Sequence, residues 1–363
     1  IFIGVMCLMF WATFQIGAYP AGWIENGVAW LSETVGNAMH DGMLESLLCD
    51  GIISGVGGVL VFLPNILILY FFISFIEDSG YMARAAFIMD KLMHRIGLHG
   101  KSFIPLIMGF GCNVPAIMST KNIESRSSRI ITVLIIPFMS CSARLPLYVF
   151  LTSMFFKGHE VAAIMSIYVL GVIVAIFTAK LLRRFHFHHD EVPYVMELPP
   201  YRLPGSNSIL RHMWENAAEY LKKIGGVILL ASIIVWGLNY FPVGAEDSYL
   251  RMFGKAITPV MQPLGFTWQA TVSALAGIPA KEIVVSTLAV LSQSGESLFV
   301  APEIASSLAF MVFISLSFPC IATLTSIVRQ TKSWRYGLFS MVYNIGIAWI
   351  VAFLVFNVAV WII

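Results

Sequence analysis

Glu77-Asp78-Ser79, Gly97-Leu98, Val114-Pro115-Ala116 and Cys141-Ser142-Ala143-Arg144-Leu145 follow one another in the first half of the chain. Glu246-Asp247-Ser248, Gly265-Phe266, Ile278-Pro279-Ala280 and Cys320-Ile321-Ala322-Thr323-Leu324 repeat the same order in the second half. Each match is short, but their shared order marks an internal repeat. A repeat whose helices are interrupted by Gly and Pro is the pattern of a secondary-transporter core, with its site where the broken segments meet.

Around those motifs the chain is apolar. Of its 363 residues 58% are hydrophobic and only 12% charged, with a mean hydropathy of +0.82. Soluble chains carry about 25% charged residues, so a soluble domain is excluded. Apolar runs near the length needed to cross a bilayer fall at 1–18, 57–76, 130–156, 161–182, 225–241, 304–328 and 337–362. A net charge of +2, with no basic, aromatic-interleaved patch, gives no support to nucleic-acid binding. The five cysteines include no Cys-x-x-Cys pair, so neither a zinc site nor a disulfide framework is indicated. Opening on Ile1 inside an apolar run poor in basic flank, the sequence reads as the later part of a longer protein and not as a signal peptide.

Charge sets the expected orientation. No Lys or Arg precedes Arg84, whereas Glu25, Glu33, Asp41, Glu45 and Asp50 lie between the first two spans, which makes that segment external. Arg84, Lys91, Arg95, Lys101, Lys121, Arg126 and Arg129 mark the next side as cytoplasmic, as do Arg183, Arg184, Arg202, Arg211, Lys222 and Lys223 further on. On this count the Glu77 motif is inside and the Glu246 motif outside, so the repeat is inverted. Residues 102–118 and 267–290 are too short or too interrupted to cross alone and read as re-entrant or broken helices. The polar stretch 186–224 begins as a Pro-rich linker and ends, from Asn207 to Lys223, as an amphipathic surface helix. Met82–Met93 suits a second such helix.

The fold class is therefore an all-α polytopic membrane protein, an inverted repeat of two gate-type helical units with broken or re-entrant helices. Its expected parts are a first transmembrane helix and external segment (1–56), gate repeat 1 (57–185), a cytoplasmic linker and amphipathic helix (186–224), and gate repeat 2 (225–363).

Gly109-Phe110-Gly111-Cys112-Asn113-Val114-Pro115 is the densest local signal. Its glycines permit tight backbone geometry, and Pro115 disfavours helix at Val114, leaving carbonyl oxygens beside a thiol and an amide. The second copy, Ala276-Gly277-Ile278-Pro279-Ala280-Lys281-Glu282, puts a Lys-Glu pair there instead. Ionisable groups at membrane depth default to function; at an interface the pair is simply solvated. Cys141 and Cys320 hold matching places beside Pro137, Pro146 and Pro319, which leave the carbonyls of Val133, Ser142 and Ser315 without their usual partners. A thiol next to such carbonyls and to the hydroxyls of Ser140, Ser142 or Ser317 makes a transient metal site, although a free Cys is often only a small buried hydrophobe. Arg144 fits an interior polar face, or a structural pair with an acid such as Glu282. Gly97-Leu98-His99-Gly100-Lys101-Ser102 fails the phosphate-loop pattern, because Arg95 stands where a Gly is required. His186, His188, His189 and Asp190 are a weak metal-catching loop, and Gly51-Ile52-Ile53-Ser54-Gly55 a weak packing motif.

The Gly-Phe-Gly-Cys-Asn-Val-Pro-Ala stretch, with Cys-Ser-Ala-Arg-Leu-Pro downstream and Glu-Asp-Ser-Gly-Tyr-Met-Ala-Arg upstream, closely resembles the membrane domain of the ferrous-iron transporter B (FeoB) family. The resemblance runs from the first span to the last. It implies Fe2+ as transported substrate, import across a bacterial inner membrane, and a cytoplasmic GTPase domain before Ile1 that would supply the only GTP and Mg2+ binding. It also implies thiols at Cys112, Cys141 and Cys320 along the ion path. With these, Asn113 and Glu282 are candidate pathway ligands, and Glu77 and Asp78 candidate inner-exit acids, unless they cap the helix that begins near Ser79. Expected partners are membrane lipid, the chain's own GTPase domain, small cytoplasmic accessory proteins and further copies of itself, with no nucleic acid. The alternatives are a gate-type carrier of a nucleoside or other organic solute, which wants aromatic and amide groups round a larger pocket, and a non-transporting receptor or scaffold.

Overall fold

The computed structural model describes residues 2–39, 42–156, 158–185, 205–240, 249–278, 281, 283–292, 298–317 and 319–362. Among them every regular element is helical, with a single isolated bridge between Phe266 and Phe299. The structure divides into two compact units, one drawing on residues 1–89 and 194–240 and the other on 90–193 and 241–363.

The first unit opens with α1 (Phe2–Ala38), then the short α2 (Met43–Ser46), a π-helical stretch over Leu47–Ile53 and α3 (Ser54–Asp78). The run expected at 1–18 is thus only the start of a 37-residue helix. Such a helix is ~55 Å long, because Pro20 is the only strong breaker it holds and the acidic residues beyond do not forbid helix. Small residues set the closeness of α1 to α3. A Cβ on Gly57 would fall 2.4 Å from a methyl of Val28, and one on Gly17 would fall 2.0 Å from Asn65 Oδ1. Close approach through glycine is how membrane helices gain contact without a hydrophobic drive between them. After Ser79, whose hydroxyl accepts from Tyr81 N–H, comes α4 (Tyr81–Ile96), the amphipathic helix expected near Met82–Met93.

In the second unit the chain turns at Gly97 (φ +88°) and enters a 3-10 turn over Gly100–Ser102. His99 caps that turn through Nδ1, which accepts from Lys101 N–H, and burial lowers the pKa of its imidazole, so the acceptor persists at neutral pH. Ser102 is fully buried and receives the Thr132 hydroxyl at 2.9 Å. The phosphate-loop-like stretch is therefore a helix entry. Next come α5 (Phe103–Gly111) and α6 (Asn113–Ser119), separated by Cys112 alone, then α7 (Arg126–Ile135), α8 (Leu145–Phe155) and α9 (Glu160–Phe185). The run at 130–156 is consequently not one helix. Pro137 ends α7 in a 3-10 turn, residues 139–141 are non-helical, and a second 3-10 turn leads into α8.

Helix α10 (Ser206–Tyr240) returns to the first unit and merges the amphipathic helix expected at Asn207–Lys223 with the span at 225–241. Gly225-Gly226 does not interrupt it. The second unit resumes with α11 (Tyr249–Met261), α12 (Trp268–Ala276), α13 (Ile283–Ser292), α14 (Glu303–Leu316), α15 (Ile321–Thr331) and α16 (Trp334–Ile362). The run at 304–328 is broken too, between Leu316 and Ile321.

The element order recurs. A long helix, an amphipathic helix, a broken short pair, a broken long pair and a long helix occur as α3 to α9 and again as α10 to α16. Gly97 and Gly265 both adopt left-handed backbone (φ +88° and +77°) at corresponding turns, and the next residues, Leu98 and Phe266, are both buried. Among the described residues five stretches are long and apolar enough to cross a membrane: Met43–Ile76, Arg126–Phe155, Glu160–Arg184, Glu303–Thr331 and Trp334–Trp361.

Candidate metal-ion pathway

Each thiol singled out in the sequence stands at a helix break, with its carbonyl starting the next helical segment. Cys112 O accepts from Ala116 N–H at 3.4 Å, Cys141 O from Arg144 N–H at 3.1 Å and Cys320 O from Leu324 N–H at 2.9 Å. Cys112 and Cys141 have extended backbone, Cys320 has φ −58° and ψ 156°, and all three are partly exposed. The placement follows from local sequence. Gly111 ends α5 before the extended Cys112, Pro137 stops α7, and Pro319 cannot donate to a turn of α14.

Hydrogen bonds join these breaks. Ser142 Oγ donates to Gly111 O at 2.9 Å, tying the Cys141 break to the Cys112 break. Ser140 and Ser315 share a hydrogen bond of 2.9 Å, and Ser140 also meets Tyr148 Oη at 3.0 Å. These three hydroxyl groups are essentially inaccessible to solvent and link the first broken helix to the second. Ile321 N–H donates to Ile278 O at 3.3 Å, bringing the Cys320 break against the end of α12. The Ser140–Ser315–Tyr148 contact spans 175 residues of sequence, and no local pattern announces it.

Asn113 is buried, and its Oδ1 accepts no hydrogen bond among the described residues. It lies 3.5 Å from where a Cβ on Gly109 would sit, while Met139 Cβ lies 3.0 Å from the same point. Glycine at 109 is thus what lets the amide and the first long break approach α5. Gly171 plays the same part on α9, where an added Cβ would meet Phe138 O at 2.8 Å.

Arg144 is 1% exposed. Its Nη1 donates to Pro137 O at 3.3 Å and Met139 O at 3.2 Å, and Nη2 donates to Pro137 O at 3.3 Å. The guanidinium therefore gathers carbonyls at the end of the first half-helix. Of the carbonyls expected to be free, that of Ser142 instead accepts from Leu145 N–H. A buried Ser317 hydroxyl lacks a partner among the described residues, and Cys320 Sγ lies 3.0 Å from Thr323 Oγ1.

Of the remaining candidates the structure describes only some. Lys281 is buried at 3% exposure, whereas Glu282, Pro279, Glu246, Asp247 and the stretch containing His186, His188, His189 and Asp190 lie outside the described residues. Glu77 and Asp78 end α3 in the first unit, and Asp78 Oδ2 accepts from the Ser208 hydroxyl at 3.3 Å. At the first turn of α4, Tyr81 N–H donates to Ser79 Oγ at 3.3 Å. Among the described residues no three His, Cys, Asp or Glu side chains converge on one point.

A family model described as Gate, nucleoside recognition, matches residues 59–155 and 221–334, and one described as ferrous iron transport protein B C terminus matches residues 164–216. The chain is 47% identical to a Fe(2+) transport protein A/Fe(2+) transporter FeoB fusion protein of Porphyromonas gingivalis, over 99% of this chain and 50% of the relative. It is 40% identical to a Fe(2+) transporter FeoB of Staphylococcus aureus (strain MSSA476), over 99% of this chain and 56% of the relative. It is likewise 40% identical to a Fe(2+) transporter FeoB of Campylobacter jejuni, over 99% of this chain and 63% of the relative. The chain thus spans less than two thirds of the length of these curated relatives. No solved structure matches it.

Proposed function

This chain belongs to the Gate family and carries the membrane domain of the FeoB ferrous-iron transporters, and from that premise we propose that it conducts Fe2+ into the cell across the bacterial inner membrane. The observation that carries the reading is the linked set of helix breaks, each presenting one thiol. Fe2+ is a borderline ion that accepts sulfur as well as oxygen donors, and conduction needs sites weak enough to release it. Single thiols spaced along a path, each completed by oxygens, meet both conditions better than a closed multi-thiolate cage.

In this reading the two gate repeats are inverted about an axis in the membrane plane. Fe2+ enters near the second repeat, exchanges water for Cys320, Cys141, Cys112 and Asn113 Oδ1, and leaves toward Glu77 and Asp78. Acids at the C-terminal end of α3 gain nothing from the helix dipole, which leaves room for an ion-handling role. Glu282 stands beside the second broken pair as a further oxygen donor. A GTPase domain in the remainder of the protein drives or gates the cycle, and the Porphyromonas fusion relative supports a small accessory protein as partner.

The nucleoside recognition attributed to the Gate family favours a second reading, carriage of a nucleoside. Uptake by the full-length protein in proteoliposomes separates the two. Radiolabelled Fe2+ under reducing conditions is expected to accumulate, and unlabelled uridine in excess is expected to leave that flux unchanged. Uridine accumulation without Fe2+ accumulation would overturn the iron reading.

A further inference from the structure

Helix α16 carries two polar side chains with no exposure, Ser340 and Asn344. Asn344 Nδ2 donates to Ser340 Oγ at 3.1 Å, which fixes the amide, and its Oδ1 accepts no hydrogen bond among the described residues. A buried acceptor left open in an otherwise apolar spanning helix is costly and calls for a reason.

Its level in the fold supplies one. A Cβ on Gly337 would lie 2.5 Å from Val328 Cγ2 and 3.6 Å from Leu324 Cδ1, so α15 and α16 run antiparallel with these residues side by side. Gly265 is approached by both Ser306 and Phe356, which sets α14 against the far half of α16. Stepping along α16 at 1.5 Å per residue from either contact brings Asn344 to the level of Ser317 and Cys320, between the end of α14 and the start of α15. The preceding residue, Tyr343, turns the other way, stacking edge-on against Phe138 and donating its hydroxyl to Leu134 O. At the level of Asn344 lie Cys320 Sγ, 3.0 Å from Thr323 Oγ1, and the fully buried Ser317 hydroxyl, which also lacks a partner among the described residues.

We propose that Asn344 Oδ1 and Cys320 Sγ are joint ligands of a divalent-cation subsite at the second helix break, completed by the hydroxyls of Ser317 and Thr323. The inference rests on the cation-transport reading and adds a ligand from a helix that none of the sequence motifs touches. An amide oxygen is a hard, neutral donor. Paired with one thiol it suits an ion of intermediate softness and makes the site weaker than one built from thiolates alone. Ser340 is a positioning residue that holds the amide with its oxygen toward the break.

The test is metal protection of individual thiols in the full-length protein, read by peptide-resolved alkylation under anaerobic conditions. Fe2+ is expected to slow alkylation of Cys320 in the wild type. In Asn344→Leu the Fe2+ concentration that half-protects Cys320 should rise by about tenfold or more while protection of Cys141 stays as it was. Asn344→Asp, which keeps an oxygen in place and adds charge, should restore protection and extend it to Mn2+, a harder ion. If Asn344→Leu protects Cys320 as the wild type does, the amide is not a ligand, and the iron reading stands without it. If Fe2+ protects neither Cys320 nor Cys141 in the wild type and drives no uptake, both readings fall.

Discussion

Arg144 sets the chemistry of the first long break more than any other side chain. Its guanidinium is buried, and the described contacts it makes are with the carbonyls of Pro137 and Met139. Leaving a buried carbonyl without a donor costs about 1–3 kcal/mol. Arg144→Met should therefore lower thermal stability in detergent measurably and expose Cys141 to faster alkylation. Arg144→Lys keeps the charge but not the planar fork that reaches two carbonyls at once, so it should recover only part of the loss. Equal stability of all three proteins would show that the break holds itself open without Arg144. The sequence identifies Arg144 as an interior polar residue but leaves its partner open. Carbonyls freed by a helix break are not a residue type, so no motif names them. The hydroxyls of Ser140, Ser315 and Tyr148 were equally hard to read, since their pairing depends on helices far apart in the chain.

Elements were legible where one physical signal dominated. Hydropathy marks seven apolar runs, and five of them overlap the five stretches long and apolar enough to cross a membrane among the described residues, while Gly and Pro mark the short broken pairs around Cys112 and Gly277. Where two signals competed the reading slipped. Apolar continuity concealed the breaks within 130–156 and 304–328, although Pro137 and Pro319 marked them. Acidic residues suggested an end to the first span, yet α1 continues to Ala38. Three of the left-handed glycines, Gly97, Gly158 and Gly265, offer a graded test. Gly158 has φ +85° with open space around it, so Gly158→Ala carries only the left-handed penalty of about 1–2 kcal/mol. Gly97→Ala adds a clash with Arg183 Cδ at 2.6 Å, which that long side chain relieves in part. Gly265→Ala meets Ser306 Oγ at 2.2 Å and Phe356 at 2.8 Å inside the packed unit, so it should be the most destabilising of the three. Thermal melts in one detergent rank them; Gly265→Ala melting no lower than Gly158→Ala would show that the second turn is not the rigid counterpart of the first.

The two halves of the molecule match in element order, and in the proposed function they face opposite sides of a membrane. The match of element order is visible in the structure, and the inversion rests on charge. Single cysteines introduced at Ser32 and Ser206 should therefore react with an impermeant maleimide from opposite sides of the membrane in whole cells and inverted vesicles. Reaction of both from one side would remove the inversion. Whether the thiols at the helix breaks carry the ion is read by radiolabelled Fe2+ uptake, with and without competing Zn2+, by full-length protein in which Cys112, Cys141 and Cys320 are all replaced by Ser. Zn2+ binds mixed N, O and S sites more tightly than Fe2+, so it should inhibit the wild type strongly. The triple variant, folded and inserted at normal levels, should lose uptake by about tenfold or more, the effect of roughly 1.4 kcal/mol, and its residual flux should resist Zn2+. Wild-type uptake with undiminished Zn2+ inhibition in that variant would contradict the account and return the path to oxygen ligands alone.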